Sequence, residues 1–186
     1  MGVKPHARLL AAILCSMLFM LLASCATKDR GVVIVKSDNV DILKLVEKAS
    51  IDLLENTHGL APDRPLIAAT FVSIDNLRKS STFGRTLSEM FSSELVRAGL
   101  TVVEIKMRDS LFIQESTGEL ILSRDIRRLS ASHDAQGILI GTYAQARDTA
   151  YINVRLVRSS DNVILGATNM QLPLDNNIRA MLPPTW

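Results

Sequence analysis

Hydrophobic and polar positions follow three different rhythms along this chain. From Leu9 to Ala23 every residue except Ser16 is apolar, a run roughly 22 Å long as a helix. Between Asn39 and His58 the rhythm becomes helical. Val40, Leu43, Val46, Ile51 and Leu54, with Ile42, Leu45, Ala49 and Leu53 beside them, form a broad apolar stripe. Asp38, Asn39 and Asp41 are cap and first-turn candidates, and Gly59 stands where the helix should stop. "APDRP" (61–65) reads as a turn. "LIAATFVSI" (66–74) is apolar almost throughout, which predicts one strand buried on both faces. "DNLRKSSTFG" reads as a polar loop. The next helix is expected over about Gly84–Ala98, with Leu87, Met90, Phe91 and Leu95 inward, Glu94 at the stripe edge and Gly99 as the C-terminal cap. "TVVEI" (101–105) is a second strand, and the pair with its helix predicts a right-handed β-α-β unit.

Further on, Ser123 can cap a helix with Asp125 in its first turn and Ile126, Leu129 and Ala135 on its inner face. "GILIGTYAQA" (137–146) is a third strand. In "AYINVRLV" (150–157) Ile152, Val154 and Leu156 alternate inward with Tyr151, Asn153 and Arg155 outward. "SSDN" (159–162) has turn chemistry, and "VILGATNMQL" (163–172) closes a hairpin. The expected fold is therefore α/β, a single mixed-sheet domain in the order α-β-α-β-α-β-β-β. Three strands are parallel, a C-terminal hairpin is antiparallel, and helices cover the sheet. The expected segments are 1–24, a tether over 25–38, an N-terminal helix over 39–60, the α/β domain over 61–175 and a tail over 176–186. The sequence leaves open whether "GVVIV" (31–35) is a strand or an apolar piece that docks on a partner.

Charge changes the reading of the first segment. Lys4 and Arg8 precede the apolar run with no acidic residue among them. A membrane-spanning helix needs about 20 apolar residues, so a basic head before this shorter run has the layout of a secretory signal. The chain has 21 Lys+Arg against 19 Asp+Glu, and Lys4 and Arg8 account for the whole excess. Residues 25–186 are formally neutral, which removes any general attraction to nucleic acid. The two cysteines, Cys15 and Cys25, both lie at the N-terminus, so the domain must be held by its core without a disulfide.

The end of the apolar run, Leu22-Ala23-Ser24-Cys25, resembles the lipobox of bacterial lipoproteins. The resemblance implies cleavage before Cys25 and acylation of Cys25, palmitate included, as the new first residue. Two lipid signals already give stable anchoring. The absence of Asp at the next position, Ala26, points by resemblance to the outer membrane, with the domain facing the periplasm.

From about Leu66 to Leu172 the chain resembles the domain of the FlgO family of outer-membrane lipoproteins. The resemblance rests on five pieces in register: the buried strand, "FGRTLSEMFSSELVRAGLTVVE", "GELILSRD", "GILIGTYA" and "INVRLVRSSDNVILGA". It implies a compact domain similar to the N-terminal domain of TolB and the periplasmic core of CsgG-type secretion lipoproteins. It further implies a non-enzymatic role linked to motility and to the outer rings of the flagellar basal body.

Other chemistry is weighed against this. Gly141-Thr142-Tyr143 ends a parallel strand, where open α/β sheets often bind ligands, but the same residues serve close packing. No dinucleotide or phosphate-loop motif follows a strand. His58 and His133 fall at expected helix ends without metal-ligand spacing, so no cofactor or metal is expected. Glu115, Glu119 and Asp125 flank a loop, and "RDIRR" (124–128) reads as a solvated helix face. Two alternatives remain: a CsgG-like pore-associated lipoprotein, which would need barrel strands of about ten residues, and a small-ligand-binding envelope domain. Expected partners are envelope proteins, with self-association left open.

Overall fold

The computed structural model describes residues 40–104, 112–114, 120–122 and 124–183. The unit spanning Asp38–Trp186 contains all of them. It is a mixed α/β domain. Helix α1 (Ile42–Glu55) is followed by strands β1 (Leu66–Ala68), β2 (Val72–Ser73) and β3 (Asn76–Ser80). Next come helix α2 (Thr82–Arg97) and strands β4 (Val102–Glu104), β5 (Phe112–Gln114) and β6 (Leu120–Leu122). Helix α3 (Arg124–Ser132), strands β7 (Gly137–Gln145), β8 (Thr149–Arg158) and β9 (Ile164–Pro173), and helix α4 (Asn176–Met181) complete the order.

Seven strands form one open sheet, and β5 and β6 form a separate antiparallel pair. Strand β7 is its axis. On one flank it runs parallel to β1, with Ile67 opposite Ile138, and further along to β2, with Val72 opposite Thr142. On the other flank β8 pairs antiparallel with β7, and β9 with β8. Strand β4 lies outside β1 in parallel, and β3 lies outside β2 in antiparallel orientation. Four parallel strands, β1, β2, β4 and β7, and the expected C-terminal antiparallel hairpin are thus present, against three parallel strands expected.

The element order departs from the expected α-β-α-β-α-β-β-β: it adds the β5–β6 pair, and Ala135, expected on the inner face of the third helix, lies beyond that helix's end at Ser132 and is buried in the smaller of two apolar clusters. Four further features differ. Residues 66–74 form two short strands rather than one. Between them Phe71 turns fully into the core, and its N–H donates to the Gly84 carbonyl (3.3 Å) instead of to a neighbouring strand. The expected polar loop after Asp75 contains β3, whose "NLRKS" is an edge strand. Charged edges of this kind discourage further pairing, and the same charges hide the strand from a hydrophobicity reading. The helix expected from Gly84 starts two residues earlier, because Ser81 is its N-cap and its hydroxyl accepts from the Gly84 N–H (3.0 Å). Finally, residues 176–186, expected as a tail, contain α4, and Ile178 and Leu182 are buried.

One face of the sheet, formed by Leu139, Tyr143, Ile152, Val154 and Leu156 among others, packs with α1, α2 and α4 around the main core. The opposite face holds a smaller cluster of Ile67, Ala69, Val72, Ile138, Ile140, Val157 and Ala135. Towards the C-terminal hairpin that second face opens to solvent: Tyr151, Ala167, Asn169 and Gln171 are exposed. The alternation expected for 150–157 is observed, with Ile152, Val154 and Leu156 buried.

Helix α1 buries Val46, Ala49, Ser50 and Leu53. The stripe is narrower than the sequence suggested, since Leu43 (63 % exposed) and Ile51 (52 %) face outward. Among the described residues the buried Ser50 hydroxyl has no hydrogen-bond partner. An unpaired buried hydroxyl costs about 1–3 kcal/mol. Ser50→Ala is therefore expected to stabilise the domain by about 1 kcal/mol, a rise in Tm of roughly 2–4 °C. An unchanged or lowered Tm in a thermal unfolding scan would show that the hydroxyl is satisfied in solution.

Candidate functional site

The end of β7 carries Gly141-Thr142-Tyr143, the strand terminus where the sequence points to ligand chemistry. There Tyr143 is only 2 % exposed. Its hydroxyl and the Ser81 hydroxyl lie 2.6 Å apart, and its ring meets Phe83 edge-on with centroids 5.1 Å apart. Ser81 thus serves two groups at once, the helix N-terminus and the buried phenol. Gly141 lies flat against the Phe71 ring, where any Cβ would collide with it. Phe71 in turn stacks at a tilt on Phe91, with centroids 5.5 Å apart. This constellation fixes the kink between β1 and β2 against α2; the phenol is turned inward and cannot meet a solute.

Burial pushes the Tyr143 phenol above its ordinary value of 10.0. The Ser81 hydrogen bond opposes this, and the negative Asp75 adds to it. The unfolded phenol therefore ionises first. Stability is full below about pH 10 and falls as pH rises from there through the raised folded value. Tyr143→Phe is expected to lower stability by about 1 kcal/mol at neutral pH and to flatten this alkaline loss. Unfolding measured against pH for both chains checks the two effects together, and parallel alkaline slopes would assign the loss to other groups.

Helices α1 and α2 leave a groove between them, lined by Leu43, Val46, Glu47, Met90, Ser93, Glu94 and Arg97, of about 210 Å³. Small-molecule pockets usually occupy about 300–1,000 Å³. Glu94, expected at the stripe edge, sits here and pairs with Arg97 at 2.7 Å. With an apolar floor and one ion pair on its rim, the groove can receive a protruding side chain but has no convergent set of reactive groups.

The remaining sequence candidates are scattered. His58 is exposed just beyond α1, and its backbone N–H donates to the Leu165 carbonyl (3.0 Å). His133 is exposed at the end of α3, where its N–H donates to Leu129 (3.2 Å). Arg127 and Arg128 are exposed on α3, and Asp125 lies in its first turn. Glu115, Glu119, the Ser123 cap position, residues 31–35 and the lipobox residues Leu22, Ala23, Ser24 and Cys25 lie outside the described residues. Among the described residues no group of three or more His, Cys, Asp or Glu side chains could hold a metal ion. Among them, too, no helix is long and apolar enough to cross a membrane.

Two polar staples escaped the sequence reading. The buried Gln136 accepts from the Ala61 N–H (2.7 Å) and donates to the carbonyls of Ala61 and Arg64, tying the "APDRP" turn to the start of β7. Asp175 caps α4 by accepting from the Ile178 N–H (2.8 Å) and also accepts from the Val40 N–H (2.9 Å). Those two bonds, Ile178 first, hold its carboxyl below the usual range. Both staples join residues far apart in sequence, so local pattern carries no trace of them.

The FlgO protein family model matches residues 47–177. That stretch contains the Phe71–Tyr143 constellation, the whole seven-stranded sheet and all of the groove's lining except Leu43 and Val46. The chain belongs to the FlgO family. No curated protein matches its sequence. Among solved structures, the LpoB C-terminal domain from Salmonella enterica is similar at a TM-score of 0.52 and 11% identity, covering 72% of this chain and 98% of that one. The LpoB C-terminal domain from Escherichia coli gives 0.49 and 11%, with the same coverages. A PelC dodecamer from Paraburkholderia phytofirmans gives 0.41 and 15%, covering 63% of this chain and 76% of that one. At these identities the Salmonella likeness speaks for the fold alone. Membership in the FlgO family supports an envelope lipoprotein.

Proposed function

We propose that this FlgO-family chain is a non-enzymatic lipoprotein of the outer membrane, held by acyl chains on Cys25. In this reading its α/β domain faces the periplasm and supports assembly of the flagellar outer-membrane apparatus. The observation that carries the reading is the family match over residues 47–177 downstream of Leu22-Ala23-Ser24-Cys25. A scaffold of this kind needs surface rather than chemistry. The tyrosine at the end of β7 is spent on packing, and the groove of about 210 Å³ between α1 and α2 brings no convergent set of reactive groups together. Anchoring on one leaflet raises the local concentration of weakly binding envelope partners, so modest contacts suffice.

Deletion of the gene in a flagellated host is expected to impair swimming and outer-membrane integrity together, with both restored by the intact chain. Normal swimming in the deletion strain would remove the flagellar part of the proposal. Normal swimming with a leaky envelope would assign the scaffold to another outer-membrane assembly.

A further inference from the structure

Among the described strands three are edges of the sheet, β3, β4 and β9, and they differ in charge; β4 is three residues long and ends in Glu104. Strand β3 carries Arg78 and Lys79 within five residues. Strand β9 runs for ten residues, Ile164–Pro173, without one Asp, Glu, Lys or Arg. Natural sheets usually guard a long edge with charges, bulges or proline, because its free N–H and C=O groups template further pairing. Here the guards stand only at the two ends. A register irregularity falls at the N-terminal end, where Leu156 pairs with Gly166 but Val157 pairs with Ile164, and the His58 N–H caps the Leu165 carbonyl. Pro173 closes the other end. Among the described strands β9 pairs with β8 alone.

Among the described residues the open stretch is therefore residues 166–172, and its midpoint is Asn169. Its side chains alternate: Thr168, Met170 and Leu172 are buried beneath the helical layer, while Ala167, Asn169 and Gln171 are exposed. We infer that this edge pairs with the same edge of a second copy of the chain. Strand β9 lies antiparallel to its twin about a twofold axis at Asn169, which makes one sheet continuous across two domains. The charge pattern selects a second copy over a chemically different strand. A twofold pairing sets each residue against itself or its mirror position, so any charge on the strand risks facing a like charge, a destabilising arrangement. Strand β9 avoids this at every position and β3 does not. The twofold register sets Asn169 against Asn169, whose amides can donate to and accept from each other. It sets Ala167 against Gln171 on the same face and Thr168 against Met170 on the other.

Directly opposed residues in antiparallel strands have Cα atoms about 4.5–5.5 Å apart, within the span of a disulfide. The full chain carrying Asn169→Cys, expressed in a bacterial envelope and oxidised mildly, is expected to run as a covalent dimer at twice its mass under non-reducing conditions. Ala167→Cys alone should give at most about one tenth of that yield, because like residues there sit about 14 Å apart along the strands. The Ala167→Cys/Gln171→Cys pair should recover it. The parent chain, treated alike, measures any contribution from Cys15 and Cys25. In the parent background Asn169→Lys sets two ammonium groups face to face and should lower photo-cross-linked dimer by about tenfold, the equivalent of 1.4 kcal/mol. Asn169 is exposed, so folding should be unaffected, and an unchanged Tm verifies this. Three results would overturn the inference: monomer throughout, equal yields at positions 167 and 169, or an adduct whose mass is not twice that of the chain. The last would identify a different protein on this edge.

Discussion

A Cys25→Ser chain is expected to leave the outer membrane, where the proposal places the acylated protein. Each methylene removed from the bilayer forfeits about 0.8 kcal/mol, so even two methylenes are worth more than a tenfold change in partitioning. Loss of the acyl chains altogether should reduce the outer-membrane fraction by far more than about tenfold. Residues 25–186 are formally neutral, so no general electrostatic attraction to anionic headgroups replaces the lost lipid. Without acylation the leader can stay attached, but its apolar run from Leu9 to Ala23 is short of the roughly 20 residues that span a bilayer. The serine chain is therefore expected in the inner-membrane or soluble fraction. Membrane fractionation measures the outcome, and mass spectrometry of the N-terminal peptide verifies the acylation state. Undiminished outer-membrane association of the serine chain would mean that the lipid is not the anchor. In that case the folded domain itself holds the membrane or a partner there.

The largest expected effect on folding comes from a single methyl group at Gly84. A Cβ there would collide with the Phe71 carbonyl oxygen and crowd its carbonyl carbon. That obstacle is backbone, fixed by the β1–β2 kink, and cannot turn aside as a side chain would. Gly84→Ala must therefore push the first turn of α2 off the sheet. This strains the Phe71 N–H to Gly84 bond, the Ser81 cap and the Ser81–Tyr143 pair. Overpacking costs typically 1–3 kcal/mol and sometimes more, and this site should sit at the upper end, near 3 kcal/mol. For a domain of this size that lowers Tm by roughly 6–12 °C. Gly99→Ala is the matched comparison: its φ is +88° with nothing within 4 Å of the added atom. It should cost only the left-handed backbone penalty of about 1–2 kcal/mol. Equal losses at the two positions in thermal unfolding would refute the collision argument.

Periodic segments declared themselves in the sequence. The alternation of 150–157 named its inward residues correctly, and the turn at 159–162 forms as its composition suggests. Asn162 there takes a positive φ of 63°, and Arg158 pairs with Asp161 at 2.8 Å. The cap of α1 was also among its named candidates: Asp41 accepts from the Lys44 N–H at 3.2 Å. What escaped notice is non-local. The split at Ala69–Phe71 depends on Phe71 finding Gly141 and Phe91, which lie 70 and 20 positions further along the chain. Within "LIAATFVSI" nothing distinguishes that phenylalanine from a strand residue. Strand β3 looked like loop because an edge strand needs no apolar partner on its outer side. Helix α4 is too short to show a period and depends on Asp175 for its start. The candidate site follows the same rule. Glu94 was placed at the stripe edge by spacing alone, whereas the groove it lines exists only once α1 has packed beside α2.

The bond between the Val40 N–H and the Asp175 carboxylate joins positions 135 apart in the chain. It sets how the fold bears mechanical load. A pull arriving from upstream of Val40 meets a carboxylate that also pins the last helix, so tension divides between the first and last elements instead of stripping α1 away. Because α1 lies against β9, with the Thr168 hydroxyl donating to Asp52 (2.6 Å) partway along it and the His58 N–H tied to Leu165 at the strand's far end, such a load shears the helix along the strand. Shear strains those ties together rather than one after another. Under the proposed anchoring at Cys25, load from the membrane enters the domain at the Val40–Asp175 bond, where its first and last elements are tied.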